Sequence, residues 1–520
     1  MSSTVSGAPA AKPPADFVAR VHSMSRQSSV FLIGTLFTVA AGYIFKIYLA
    51  RVLGAEALGI YTLGMTAAGL VSIFGTAGVP QTSSRFVAIY SSKGETRKLT
   101  RFLWFGLITL LVTNSIVGIV MVLGRRWIAD RLYHTPILAR YMHFFAAIMV
   151  LGALTTFLGH ALAGYKDVAR RTVITNFIGT PATMVFSVAL ITFGLGLWGY
   201  LAAQVASAVL VFFLLGRAIW KLTPKPGPSD PAAETVPLFE KEVLSFAVVL
   251  LGMQALEFIS SQTDRIMLGI FLNAKEVGVY SVAATMVTFV GLFLQSINQI
   301  FAPTIAELFA KGEHDLLSRL YQTLTKWSLG LTIPLAMGIM IFAKPLMSVF
   351  GPDFREGWPV LVISTVGQLV SCGVGSVGLL LLMSNQQTRM IRAQAITVFI
   401  TVGLNLALIP RIGLIGAAIA TAATNISLNL LWFYDVRKRL ALHPSRHGYV
   451  CLILPTIVTV AVLAIVRIWL RFHMPDIVFA FAGLLAGYAA FSLAALRFAL
   501  DPQDRELGAT AWGRIRSMFA

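Results

Sequence analysis

The chain has 520 residues, of which 57% are hydrophobic and only 12% charged, with a formal net charge of +19. That charge content is about half the roughly 25% of ordinary soluble domains, so a water-soluble protein is excluded and lipid is the solvent for most of the chain. The basic residues stand in short clusters between apolar runs, the pattern of loops beside anionic headgroups, which argues for membrane lipids and against nucleic acid as a partner.

Residues 1–28 are rich in Ala, Ser and Pro and are expected to form a cytoplasmic tail. The apolar run that follows is about twenty residues long and lacks a small-residue cleavage site, as a retained first span would. Spans are expected near 29–50, 58–79, 102–123, 141–162, 173–193 and 197–216, giving an N-terminal six-helix bundle over 29–216. Residues 217–243 include KLTPKPGPSDPAAE, a Pro-rich charged segment whose backbone polar groups could not be satisfied in lipid, and are expected to be a cytoplasmic linker. Further spans near 244–268, 280–301, 327–348, 359–383, 393–409 and 412–434 make a second bundle over 244–434. Two additional spans, near 450–470 and 477–497, precede a cytoplasmic tail over 498–520. The fold class is therefore all-α and polytopic, with about fourteen transmembrane helices in two six-helix bundles plus two.

Counting Lys and Arg in alternate loops, with the N-terminus inside, puts about 28 on the cytoplasmic side against about 11 outside. Both termini are then cytoplasmic and the protein lies in the cytoplasmic membrane. Arg125, Arg126, Arg131 and Arg140 fall outside in this arrangement. Two inner loops, 81–100 and 304–326, mix Phe86, Val87, Tyr90, Leu308, Phe309, Leu316 and Leu317 with basic residues. They are expected to lie as amphipathic helices on the inner leaflet, and Trp512 to Phe519 has the same character.

The halves look like copies. A shift of 219 pairs Leu53 with Leu272, Ala55 with Ala274, Gly59 with Gly278 and Tyr61 with Tyr280 without a gap, and a shift of 218 carries Lys93-Gly94-Glu95 onto Lys311-Gly312-Glu313. Six spans per copy is an even number, so the copies share one membrane orientation and are expected to be related by an axis along the membrane normal, with a cavity between them.

The stretch TDRIMLGIFLNAKEVGVYSVA (Thr263 to Ala283) resembles the seventh-span signature of the polysaccharide flippases, the Wzx-type branch of the multidrug/oligosaccharidyl-lipid/polysaccharide exporter superfamily. LNLALIPRIGLIGAAIATAATNISLNLL (Leu404 to Leu431) is similar to the eleventh-to-twelfth-span signature of the same group. The resemblance implies a flippase of a lipid-linked oligosaccharide such as an undecaprenyl-diphosphate type, acting for cell-surface polysaccharide biosynthesis, with polysaccharide polymerase machinery as a further partner. A cation-coupled multidrug exporter on a similar scaffold is the alternative, and it would favour an acidic cavity. A membrane glycosyltransferase, polymerase or ligase would need catalytic groups on outer loops, and the longest of these carries a single carboxylate, Asp130.

Away from span ends the ionisable residues are Lys46, Glu257, Asp264 and Arg265, and such groups ordinarily face a cavity or a partner. Gln254, Glu257, Ser261, Asp264 and Arg265 follow helical spacing, which places them on one face. The 219 shift carries Lys46 onto Arg265, so each half is expected to present one cation to a diphosphate, with Arg offering a bidentate fork and Lys a point charge. The competing reading pairs Arg265 with Asp264 or Glu257 and lets Lys46 snorkel to the interface. A second expectation gives Glu257 and Asp264 a coupling proton or sodium ion; no other cofactor and no metal is expected. His160, inside a span, and the two cysteines, Cys372 and Cys451, read as packing residues, and Gly373, Gly375 and Gly378 as close-packing glycines instead of a nucleotide fingerprint.

Overall fold

The computed structural model describes residues 15–224, 241–444, 446–470 and 476–498. Residues 1–14 of the 1–28 tail, the centre of the 217–243 linker and residues 499–520 of the C-terminal tail, including Trp512 to Phe519, lie outside the described residues. All regular structure among the described residues is helical, as it must be where no water is present to satisfy backbone groups. The helices are α1 (Ala15–Thr76), α2 (Val79–Ser92), α3 (Thr96–Leu123), α4 (Leu138–Gly164), α5 (Val168–Thr172), α6 (Thr180–Leu190), α7 (Gly196–Leu222) and α8 (Lys241–Phe271). They continue as α9 (Ala274–Lys311), α10 (His314–Ile341), α11 (Ala343–Ser348), α12 (Trp358–Val374), α13 (Val377–Met383), α14 (Gln387–Leu440), α15 (Arg446–Leu470) and α16 (Asp476–Phe498). Eleven segments among the described residues are long and apolar enough to cross a membrane. The chain is thus an all-α polytopic membrane protein.

Three of those segments run 44, 55 and 54 residues, about twice what one crossing needs. Each is interrupted. Gly54 breaks α1, Gly194 and Gly196 separate α6 from α7, and Gly413 breaks α14. At Gly196 (φ 51°, ψ −131°) and Gly413 (φ 56°, ψ −133°) the backbone takes one conformation that only glycine adopts readily. The limbs then fold back on each other. The Thr401 hydroxyl donates to Thr424 at 3.1 Å, although a straight helix would hold residues 23 apart about 35 Å away. The Thr183 hydroxyl likewise reaches Ser207 at 2.7 Å, and Ser207 donates to the Gly179 carbonyl at 3.0 Å.

The described residues group into two compact units. The first holds the chain up to Lys46, Ala68–Gly124 and Tyr141–Gln254; the second holds Ile47–Ala67, Arg125–Arg140 and the chain from Ala255 on. Each unit has its own apolar core, and a shift of 218 maps one onto the other. Val87, Tyr90, Leu99, Leu103, Leu162 and Ala218 in the first core correspond to Ile305, Leu308, Leu317, Tyr321, Leu380 and Val436 in the second. The turns between these core positions repeat as well. Gly94 (φ 70°) and Gly312 (φ 71°) are both left-handed. The N–H of Glu95 donates to Tyr90 and that of Glu313 to Leu308, each at 3.0 Å. The duplication read from two short matches therefore extends through the packing of both copies.

The same cores correct the reading of loops 81–100 and 304–326 as lipid-surface anchors. Phe86, Val87, Tyr90, Leu308 and Leu317 are buried in protein, and Phe309 packs against the second core, while Leu316 alone among the named residues is exposed. An amphipathic pattern reports only that one face is apolar; here that face is covered by neighbouring helices. The expected span 359–383 is also divided, α12 ending at Val374 and α13 beginning after Gly375, whose space is closed by Thr325. Gly378 packs against Trp432, where an added Cβ would come within 3.0 Å. Neither cysteine forms a disulfide, and the buried Cys372 thiol points at the Val290 carbonyl at 3.7 Å.

Helix α15 is tied to its neighbours in the second unit through carbonyls left open at helix ends. Tyr449 donates to Gly373 at 2.6 Å, beside the end of α12, and Arg467 donates to Ile341 at 3.1 Å, the last residue of α10. Tyr488, on α16, donates to the Leu331 carbonyl at 3.0 Å, inside α10. Terminal carbonyls need partners of this kind because the helix itself offers none.

Candidate functional site

Five of the six singled-out polar residues lie on α8. Glu257, Ser261 and Arg265 are spaced four apart and form one stripe, with Glu257 and Ser261 exposed and Arg265 half-buried. Asp264, seven residues after Glu257, falls only about 20° from it round the helix, at the edge of the same face. It is 8% exposed and turned into the packing of the second unit.

Asp264 is held by a short network. The Tyr280 hydroxyl, on a residue 1% exposed, donates to Asp264 Oδ2 at 2.6 Å. Asp264 Oδ1 accepts the backbone N–H of Arg265 at 2.8 Å. Thr421 Oγ1 lies 3.2 Å from the Tyr280 oxygen, and since that hydroxyl's proton is committed to Asp264, Thr421 is the donor. Two donors thus converge on a carboxylate in a place where an unmatched one would be costly.

Arg265 is not neutralised by its neighbours. Its guanidinium donates to Gln262 Oε1 at 2.5 Å, a neutral acceptor one turn back. The Glu257 carboxylate accepts instead from Gln394 Nε2 at 3.1 Å, on the first limb of α14. Among the described residues no ion pair joins Arg265 to Asp264 or Glu257, so the internal pairing considered from the sequence is not what the helix adopts. Ser261 donates weakly to the Phe258 carbonyl at 3.4 Å, leaving its oxygen on the accessible stripe. Lys46, half-buried on α1, ends the first stretch of the first unit, and half-buried Gln254 ends that unit's last stretch. His160 is half-buried near the end of α4.

Tyr280, Thr421, Gln262 and Gln394 were not singled out from the sequence. Tyr280 carried a signal, its pairing with Tyr61 under the 219 shift, but a repeated tyrosine reads as packing until its hydroxyl partner is known. Thr421 and Gln394 are 157 and 137 residues from the carboxylates they serve, and no local spacing reveals that.

A chain whose described residues are helical, with eleven crossing-length segments among them and with intramembrane charges on α8 held in hydrogen-bond networks, belongs by architecture with membrane transporters. Residues 48–356 match the polysaccharide biosynthesis protein family, more than half of the chain, and the chain belongs to that family. It is 31% identical over 163 residues to the probable low-salt glycan biosynthesis flippase Agl15 of Haloferax volcanii, covering 31% of this chain and 34% of that one. The match spans about a third of that relative's length. Similarity to the lipid II flippase MurJ of Bacillus subtilis is more extended, 22% identity over 485 residues, covering 85% of this chain and 87% of that one. Among solved structures, the lipid II flippase MurJ in an inward closed conformation aligns with a TM-score of 0.73 at 16% identity, over 90% of this chain and 98% of that one. An inward-facing multidrug resistance MATE family transporter of the MOP superfamily aligns with a TM-score of 0.61 at 15% identity, over 80% and 98%. At such identities the likeness to the solved structures is one of fold.

Proposed function

We propose that the chain is a flippase that carries a lipid-linked oligosaccharide across the cytoplasmic membrane by alternating access, for cell-surface polysaccharide biosynthesis, and performs no covalent step. The observation that carries the reading is Arg265. It is a half-buried cation on an accessible helical stripe whose two nearest carboxylates in sequence are engaged elsewhere, and a polyanionic headgroup would complete it. Family membership and the flippases among the relatives point the same way. Lys46 is the corresponding cation of the other repeat, and the two together form the proposed diphosphate site. Asp264, with its hydroxyl donors, is the group for a coupling proton or sodium ion.

Counting each of the three interrupted segments as two crossings supports fourteen spans. The repeat of core positions supports two six-helix bundles followed by α15 and α16. Loop charge supports cytoplasmic termini.

Deletion of the gene should cause a lipid-linked oligosaccharide to accumulate in the membrane, identified by mass spectrometry, and the wild-type chain should restore surface glycan. Lys46→Ala or Arg265→Ala, at normal abundance, should lower that export roughly tenfold or more, and the double variant should lose far less than the product of the two, as residues sharing one ligand do. Absence of any accumulating lipid-linked sugar, with drug resistance lost in its place, would overturn the flippase reading. Near-wild-type export by the double Ala variant would overturn the cationic site alone.

A further inference from the structure

The two repeats touch through their backbones. Ala55 and Gly59, just past the break at Gly54, and Ala274 and Gly278, in the first turns of α9, are small residues four apart on each helix. That spacing lets two helices approach to main-chain contact. A Cβ added at Gly59 would collide with the Ala274 carbonyl oxygen, and one added at Gly278 would collide with the Ala55 carbonyl oxygen. The 219 shift exchanges these contacts, so the crossing is isologous, each repeat giving the other the same patch. Each carbonyl meets the Cα–H of a glycine, a weak favourable contact that involves no side chain.

Other ties gather beside it, all within the second unit. Arg51 Nε–H donates to the Val349 carbonyl at 2.7 Å, and Lys275 pairs with Asp353 at 2.9 Å. Leu63 and the buried Tyr133 close over Gly269. A cavity of about 530 Å³ is lined by Glu56, His134, Asn273 and Lys275, among others. The stretches Ile47–Ala67 and Arg125–Arg140 belong by sequence to the N-terminal repeat, yet they pack with the C-terminal one. They are the tips of its first two helical hairpins, on the side that loop charge assigns to the outside.

We infer that the crossing of Ala55/Gly59 with Ala274/Gly278 is the latch of the outer gate, shut in this conformation and parted each time cargo leaves outward. The inference rests on the flippase reading for its cargo and on the proposed orientation for its side. Main-chain contact suits a latch, because parting it strands no buried side chain and re-forming it repacks none. It also makes closure intolerant of any added side chain.

The test uses the full chain with Cys372 and Cys451 replaced by Ala and a single reporter, Ser261→Cys, on the accessible stripe of α8. With glycines in place, an impermeant thiol reagent added outside intact cells should label the reporter slowly. In Gly59→Leu or Gly278→Leu, at normal abundance, labelling should rise roughly tenfold as the shut state loses population, and glycan export should fall. Unchanged or slower labelling overturns the latch. Should the leucine variants fail to accumulate, Glu56→Cys combined with Lys275→Cys in the same cysteine-free chain decides the matter, because both positions line one cavity. Joining them with a short reducible bis-thiol reagent should stop export, and reductant should restore it. Undiminished export by fully joined protein overturns the latch. Labelling does not depend on which cargo is carried, so a labelling response without any accumulating lipid-linked sugar would leave the latch standing and remove the flippase reading.

Discussion

Tyr280→Phe isolates one hydrogen bond whose worth can be worked from its surroundings. The substitution keeps the buried ring and removes only the hydroxyl that donates to Asp264 at 2.6 Å. That distance lies within the short range of charge-assisted O–H···O bonds. Hydrogen bonds to charged groups contribute about 1.5–3 kcal/mol, and the carboxylate keeps only the Arg265 N–H when the hydroxyl is gone. A loss of about 2 kcal/mol is expected, roughly 30-fold in the unfolding equilibrium. Thr421→Val removes the neutral bond to the same hydroxyl and should cost about 1 kcal/mol. Unfolding by SDS in mixed micelles, followed through the nine tryptophans, measures both. The decisive comparison is a double-mutant cycle with Asp264→Asn. If the bond is charge-assisted, the cycle should return a coupling of about 1–2 kcal/mol, and additivity within about 0.5 kcal/mol would refute the reasoning.

Gly94→Ala and Gly312→Ala should each cost about 1–2 kcal/mol, because both residues are left-handed with nothing within 4 Å of an added Cβ, leaving backbone strain as the whole effect. Nearly equal losses by the same SDS assay are expected, and a difference larger than about 1 kcal/mol would show that the two turns are not equivalent. Cysteines placed in residues 217–243 of the cysteine-free chain should resist an impermeant thiol reagent in intact cells and react after lysis. Ready labelling before lysis would reverse the proposed orientation.

The helical class and the duplication were legible because both are written as local patterns. Apolar runs of crossing length need no tertiary information, and Lys93-Gly94-Glu95 repeats as Lys311-Gly312-Glu313 because one turn geometry demands it twice. The expected spans already part near Gly196 and Gly413, but which glycine reverses the chain was not legible, since a glycine within an apolar run is compatible with a straight helix, a kink or a reversal. Phe86 and Leu317 were misread for a related reason: an apolar residue beside basic ones looks the same whether lipid or protein covers it. Of the candidate site, the stripe of Glu257, Ser261 and Arg265 was visible in the spacing. The burial of Asp264 at its edge was not, because what covers that carboxylate is Tyr280, backed by Thr421 on a helix distant in the chain.

The single-glycine reversals at Gly196 and Gly413 bear on how the chain enters the bilayer. A conventional loop between two spans requires polar backbone to be dragged through hydrocarbon, and each unsatisfied group there costs several kcal/mol. Here almost nothing lies between the limbs, and hydroxyls already join them, Thr183 to Ser207 and Thr401 to Thr424. Each pair can therefore enter as a closed hairpin whose polar side chains satisfy one another before lipid surrounds them. On this reasoning a substitution that straightens the glycine should lower membrane abundance of the protein before any cargo is met.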